Sequence, residues 1–526
     1  MEQTISLARS EHRVITRAIG LALVLAIAFL VYYALGTWLW HAGFISTPLL
    51  FLAEKMAIAN SGAPSRIIGA AFVYPPLALA FMAPFHNPIV GQAALGAIVD
   101  GMFILWTERH IPTLIARRLT QVSFLASGVI LYTAIEDSGA LIACELAALA
   151  AFALLRFFER NYSPDLFAAG TFVGLTFFID FRIIALAIVF VPTLVWTAGR
   201  TSRDKFVAVL ITLIVPSFLM ALGWTYVNWI FIGDPFAFAR GPLSFFHVRA
   251  AELPVPHVFS MQAIVALALM LAPVWCAPYA LRLLDRRTQV AANFMLLASL
   301  TWAWWCTTQT AAGSMTIWLI PLGTAIAFAA PRKPSILIHA ALLISVAGSW
   351  LFLSTDRADA GSFYGSLIAT APVSTTSQAA AVHAALAGAQ NVLMDDAQSY
   401  GVVALDGDAA RFVLPYSKGF ARALNEPERF ADHVVVSTGG DDRVLQRYPN
   451  AAKGVLPGYH LTLNANNTLV FTRNSLSPDL QPLPVLTIPL AWHVIYIVMC
   501  ALLALATIAA MQYTSRELTG NKALQQ

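Results

Sequence analysis

Residues 335–360 read SILIHAALLISVAGSWLFLSTDRADA, and the change of character inside this stretch decides the fold. From Ser335 to Leu353 the run is apolar, and a helix over it is about 28 Å long at 1.5 Å per residue, close to the hydrocarbon thickness of a bilayer. From Ser354 to about Leu486, Asp, Ser, Thr, Asn and Gly return. A membrane domain therefore ends here and a water-soluble segment begins.

Working outward, like stretches occur at about 17 to 37, 89 to 106, 119 to 135, 139 to 156, 165 to 180, 183 to 199, 206 to 232, 261 to 282, 289 to 306, 313 to 330 and 489 to 511. With 335–353 they make about twelve transmembrane helices. The whole chain of 526 residues is 58% hydrophobic and only 11% charged, whereas a soluble domain carries roughly a quarter charged residues. The formal net charge of +4 sits beside apolar segments, so it reads as membrane topology and not as nucleic-acid affinity. Cys144, Cys276, Cys306 and Cys500 lie inside apolar stretches without metal-ligand spacing, so neither a disulfide framework nor a metal site is expected.

A cytoplasmic N-terminus places Arg109, Arg117, Arg118, Arg156, Arg160, Arg200, Arg203, Lys205, Arg282, Arg286, Arg287, Arg332, Lys333, Arg516 and Lys522 on the inner side. Only Lys55, Arg66, Arg182, Arg240 and Arg249 fall in outer loops, the bias that sets orientation. The run from about Ile67 to Phe85 is broken by Pro75, Pro76 and Pro84 and reads as a juxtamembrane helix in a long first outer loop, about 38–88. The expected domains are a membrane domain over 1–353, a small mixed α/β soluble domain over 354–488, and a last helix with a cytoplasmic tail over 489–526. Strands are expected at Asn391–Met394, His433–Ser437 and Thr468–Thr472, with a hairpin turn at Asn464–Asn467. The expected location is a bacterial inner membrane, with the soluble domain periplasmic.

Ionisable groups near a bilayer are costly, which narrows the search for chemistry. Glu54 is the one carboxylate of the first outer loop; it is either a catalytic base or a solvated loop group beside Lys55. Glu136 and Asp137 sit together at a helix start, where capping competes with a role in binding or proton transfer. Asp180 and Arg182 flank a tight turn, and an arginine there can grip a phosphate bidentately or pair locally. Asp234, Arg240, His247, Arg249, Glu252 and His257 follow the seventh helix; Arg240, His247, Arg249 and His257 either add positive charge over the membrane surface or simply belong to a solvated loop. Asp100 and Glu145 lie within helices, and Trp302, Trp304 and Trp305 read as an interfacial belt.

In this order of features the chain resembles the GT-C superfamily of membrane glycosyltransferases, which use polyprenyl-phosphate-linked sugars. Phe72-Val73-Tyr74-Pro75-Pro76-Leu77 resembles the YPPL-type segment of the polyprenyl-phosphate-mannose-dependent mannosyltransferases, with aminoarabinose-type transferases as relatives, and Gly233-Asp234-Pro235 resembles the turn after their seventh helix. Asp137 and Arg182 stand where those enzymes place an acid and an arginine; where they carry Asp in the first loop, Glu54 is found.

The resemblance implies inverting transfer at the outer face. The catalytic candidates are Glu54, Asp137 and Glu136; the donor phosphate and lipid fall to Lys55, Arg182, Arg240 and Tyr74; Asp180, His247, Arg249 and His257 line the acceptor side. The implied partners are a polyprenyl-phosphate-linked sugar, a glycan or glycolipid acceptor and membrane lipid. No cofactor is required, with room left for a divalent metal. A flippase of lipid-linked saccharides, an O-antigen-type polymerase and a non-catalytic lipid-glycan scaffold are the alternatives.

Overall fold

The computed structural model describes residues 2–60, 76–85, 87–160, 162–179, 203–232, 234–236, 238, 260–309, 317–332, 336–355, 359–368, 376–417, 419–439 and 442–474. Helix α1 (Glu2–His41) leads into α2 (Thr47–Asn60) and the short α3 (Pro76–Met82). Then follow α4 (Pro88–His110), α5 (Leu114–Leu125), α6 (Gly128–Glu136), α7 (Ser138–Arg160), α8 (Ser163–Phe177) and α9 (Arg203–Ile232). The set continues with α10 (Met261–Met270), α11 (Ala272–Leu281), α12 (Arg286–Gln309), α13 (Leu319–Ala329), α14 (Ile336–Thr355) and α15 (Asp359–Ile368).

Among the described residues seven helices are long and apolar enough to cross a membrane, or eight if α5 and α6, bent by 57° to each other, form one span. The expected stretch at 119–135 is therefore a broken helix. Its break falls at Ala126–Ser127, where Gly128 N–H donates to Ser349 Oγ of α14 at 2.9 Å. The expected spans at 183–199 and 489–511 lie outside the described residues.

Apolar side chains gain nothing by leaving lipid for one another, so packing and small residues bring the helices together. Ser345 Oγ donates to Met270 O at 2.6 Å, and a Cβ on Gly348 would lie 2.3 Å from Met270 N, so α14 and α10 meet backbone to backbone. Likewise Ser217 Oγ of α9 donates to Gly170 O of α8 at 2.7 Å. At one end of the bundle Arg117 and Arg118 pair with Glu108, Arg156 with Asp165 at 3.2 Å, and Arg332 with Glu159 at 2.6 Å. The other end carries the soluble domain.

That domain is built on a five-stranded mixed sheet of order β2-β1-β3-β5-β4. Strands β1 (Val392–Met394), β2 (Phe412–Val413) and β3 (His433–Ser437) run parallel, and β4 (Tyr459–Ala465) and β5 (Thr468–Arg473) form an antiparallel hairpin beside β3. The hairpin turns at Asn466 and Asn467, Asn466 taking a left-handed φ of 52°, a conformation Asn tolerates better than most residues. Helices α16 (Ser377–Ala385) and α17 (Asp396–Asp406) pack beside the sheet. Strand β2 has only two residues, too few for an alternation to show in sequence.

Helix α2 joins the two parts. Phe51, Leu52, Met56, Ala57 and Ile58 share one buried cluster with Val402, Val403, Phe412 and Val470 of the soluble domain.

Candidate functional site at the domain junction

Helix α2 starts at Ser46-Thr47, where unpaired backbone amides and the helix dipole favour carboxylates. Two supply them. Glu136 Oε2 accepts from Ser46 N–H at 2.9 Å, and Asp359 Oδ2 accepts from Thr47 N–H at 2.7 Å. Ser46 Oγ also donates to Glu136 O at 3.0 Å. The expectation that Glu136 opens a helix is corrected: it is the last residue of α6, and its buried carboxyl serves the N-terminus of α2.

Asp137 does cap. Its backbone leaves the helical region at φ −154°, and its Oδ1 accepts from Ala140 N–H in the first turn of α7 at 3.2 Å. The carboxyl stands beside Gly139, on which a Cβ would lie 3.3 Å from Ala78 of α3, 3.9 Å from Asp137 Oδ1 and 4.0 Å from Ile179. Leu77 N–H donates to Phe178 O at 3.0 Å, tying the start of α3 to the end of α8. Asp137 thus sits where the first loop meets the end of α8.

Beside that junction, Phe178 meets Trp224 edge-on at 5.8 Å and Phe177 meets Phe238 at 5.5 Å. One turn from Trp224, Asn228 is fully buried; its Nδ2 donates to Trp224 O at 2.8 Å, while its Oδ1 has no hydrogen-bond partner among the described residues. Asp234 Oδ1 accepts from Phe236 N–H at 3.1 Å, closing the turn after α9.

Glu54 and Lys55 are not solvated. Both are 0% exposed, which corrects the reading of a free loop carboxylate. Lys55 Nζ lies 2.8 Å from Glu54 Oε2, 3.0 Å from Asp396 Oδ2 and 3.3 Å from Tyr416 Oη, and over the Phe51 ring at 4.8 Å. Tyr416 Oη donates to Asp396 and lies 3.3 Å from Glu54 Oε1. Burial drives the Glu54 carboxyl well above its ordinary range, Lys55 opposing and Asp396 reinforcing the rise. Burial pushes Asp396 the same way, but Lys55 and the bonds from Glu54 and Tyr416 outweigh it and hold the group low. The Lys55 ammonium is pulled down by burial and carried above its usual range by Asp396 and Glu54.

Deeper in the bundle Tyr32 Oη donates to Asp100, and Glu145 lines an apolar cavity of about 60 Å³ with Phe103, Trp106 and Phe124. Trp302 is buried, which removes it from the expected belt, while Trp304 and Trp305 are exposed. Tyr74, Asp180, Arg182, Arg240, His247, Arg249, Glu252 and His257 lie outside the described residues.

Sequence reasoning missed Asp396, Tyr416, Ser46 and Asp359, all brought in by long-range contacts. A signal existed for one. Asp395-Asp396 directly follows β1, and the carboxyl ends of parallel strands are where open α/β sheets place functional groups.

No family model matches the chain, and no curated protein matches it. Among solved structures it is similar to ArnT from Cupriavidus metallidurans. Against that protein bound to undecaprenyl phosphate the identity is 13% over 88% of this chain and 99% of that one, with a TM-score of 0.48. Against its apo state the values are 12%, 86%, 98% and 0.49. The oligosaccharyltransferase of Archaeoglobus fulgidus in its apo form is similar at 14% identity over 87% of this chain and 75% of that one, TM-score 0.45.

Proposed function

We propose that this protein is a membrane glycosyltransferase that moves a sugar from a polyprenyl-phosphate donor to a hydroxyl of a cell-envelope glycan or lipid. The observation that carries the reading is the junction around Gly139. A carboxylate at the soluble-domain end of the membrane helices stands against the short helix of the first loop and the end of α8. A lipid-anchored sugar presents its phosphate and anomeric carbon at that level of a bilayer, with its tail among the helices.

In this proposal Asp137 is the base and Glu54 is not. Glu54 is fully buried and holds its proton, whereas Asp137 lies at 9% exposure beside the junction. Its carboxylate accepts the acceptor's hydroxyl proton as that oxygen bonds to the anomeric carbon. The bond from that carbon to the carrier phosphate breaks on the opposite face, and the phosphate leaves with the electron pair. Arg182 neutralises the charge that develops there.

Purified protein in nanodiscs, offered a panel of polyprenyl-phosphate sugars and envelope acceptors, tests this. The expected result is transfer by wild type and loss of about 10²- to 10⁴-fold in Asp137→Asn with carrier binding retained. Carrier binding without transfer by wild type would favour the non-catalytic scaffold; neither binding nor transfer would remove the reading.

A further inference from the structure

The residues that follow the three parallel strands converge on one edge of the soluble domain's sheet. Asp395 and Asp396 follow β1, Tyr416 comes three residues after β2, and Asp442 lies beyond β3. Arg443 N–H donates to Asp395 Oδ2 at 3.1 Å, which binds the β3 loop to the β1 loop. In doubly wound sheets this edge receives the ligand. Here α2 of the first outer loop fills it: Phe51 stands edge-on to Tyr400 at 5.4 Å, and a Cβ on Gly401 would lie 2.8 Å from Leu50.

Inside the filled edge the charges do not balance. Glu54 and Asp396 face one ammonium, Lys55, with no exposure to water for either member of the Glu54–Lys55 pair. The Tyr416 hydroxyl has one proton for two carboxylates, Asp396 and, at 3.3 Å, Glu54 Oε1; it cannot serve both fully, and a proton on Glu54 removes the shortfall. Burying a second uncompensated carboxylate costs several kcal/mol, more than retaining a proton does. Among the described residues no second cation faces this point. Helix α17 adds Tyr400, and Asp395 precedes it; the 409–411 turn that also packs on α2 carries Arg411, which is engaged by Asp406. Helix α3 and residues 88–99 of α4 carry no charged side chain. Asp359 lies at the N-terminus of α2, held by Thr47 N–H.

We infer that the soluble domain docks on the first outer loop through a clasp of Glu54, Lys55, Asp396 and Tyr416 that carries one proton on Glu54, with Asp396 and Tyr416 as its positioning residues. The domain is thereby a fixed wall of the site proposed above, and the clasp takes the ammonium of Lys55 out of phosphate binding. This deepens the glycosyltransferase reading, but its test needs no turnover.

Infrared difference spectra of the full-length protein in nanodiscs at neutral pH decide it. Wild type should show a protonated-carboxyl stretching band that is absent from Glu54→Gln, a substitution of nearly the same shape. Asp396→Asn should lose the same band, because Glu54 then ionises as the only partner of Lys55. Tyr416→Phe should keep the band at a shifted frequency. A merely structural role for Asp396 would lower the melting temperature and leave the band in place, which would overturn the inference. So would identical spectra for wild type and Glu54→Gln, a comparison that stands even if Asp396→Asn does not fold. If the bands behave as stated while no donor is consumed, the clasp stands and the transfer reading falls.

Discussion

Lys55 and Glu136 show how differently two buried ionisable residues can be used at one junction. Removing Lys55 would leave Glu54 and Asp396 facing each other without a cation, and breaking a buried pair in this way costs about 3–5 kcal/mol. Lys55→Met should therefore lower the melting temperature strongly, and Lys55→Met with Asp396→Asn should recover part of the loss; equal destabilisation in both would contradict the pairing. Glu136→Gln keeps an acceptor oxygen for the Ser46 amide. It should cost only about 1 kcal/mol, measured as a small shift in thermal unfolding. Little of this was legible in sequence. Glu54, Glu136 and Asp137 stood out because acids are scarce in so apolar a chain, but the contacts that define the junction span 341 residues for Lys55 and Asp396 and 90 for Glu136 and Ser46.

At the scale of elements, apolar runs and caps were readable and close approaches were not. The 335–353 run became α14, and the expected strands at 433–437 and 468–472 appear as β3 and β5, because short apolar runs report burial directly. The break between α5 and α6 left no such mark; a serine hydroxyl on α14 and the bulk of Trp350 against Gly128 define it. Gly348 offers a clean test of the backbone contact between α14 and α10. A methyl group there would meet Met270 N and Leu269 at under 3 Å, so Gly348→Ala should destabilise by about 1–3 kcal/mol. Gly223 in α9 has open space around its Cβ position, and Gly223→Ala should stabilise by up to about 1 kcal/mol. Thermal unfolding of the two variants in one detergent checks both signs, and a shared sign would refute the packing account.

For the whole molecule, the clasp makes cohesion between its two parts depend on pH. Glu54 binds its proton more tightly in the folded chain than in the unfolded one. Its contribution is therefore complete below the ordinary glutamate range and is lost as pH rises toward the folded value, with a slope of about 1.4 kcal/mol per pH unit. Asp442 behaves alike over a narrower window, burial lifting it to about 6. Asp396 works in the opposite sense, its contribution being lost only as acid titrates it below the usual aspartate range. The stability of wild type minus that of Glu54→Gln should accordingly fall from pH 5 upward, by chemical denaturation across a pH series; a flat difference would place the proton elsewhere. The clasp also bears on how the chain is made. Ribosomes add about 5–20 residues per second, so the 341 residues between Lys55 and Asp396 separate their synthesis by roughly twenty seconds to a minute. Throughout that interval residues 47–60 have crossed out of the ribosome without the surface that buries them, and a chain cut short before β1 would present Glu54, Lys55, Phe51 and Met56 to whatever chaperone or protease patrols that side of the membrane.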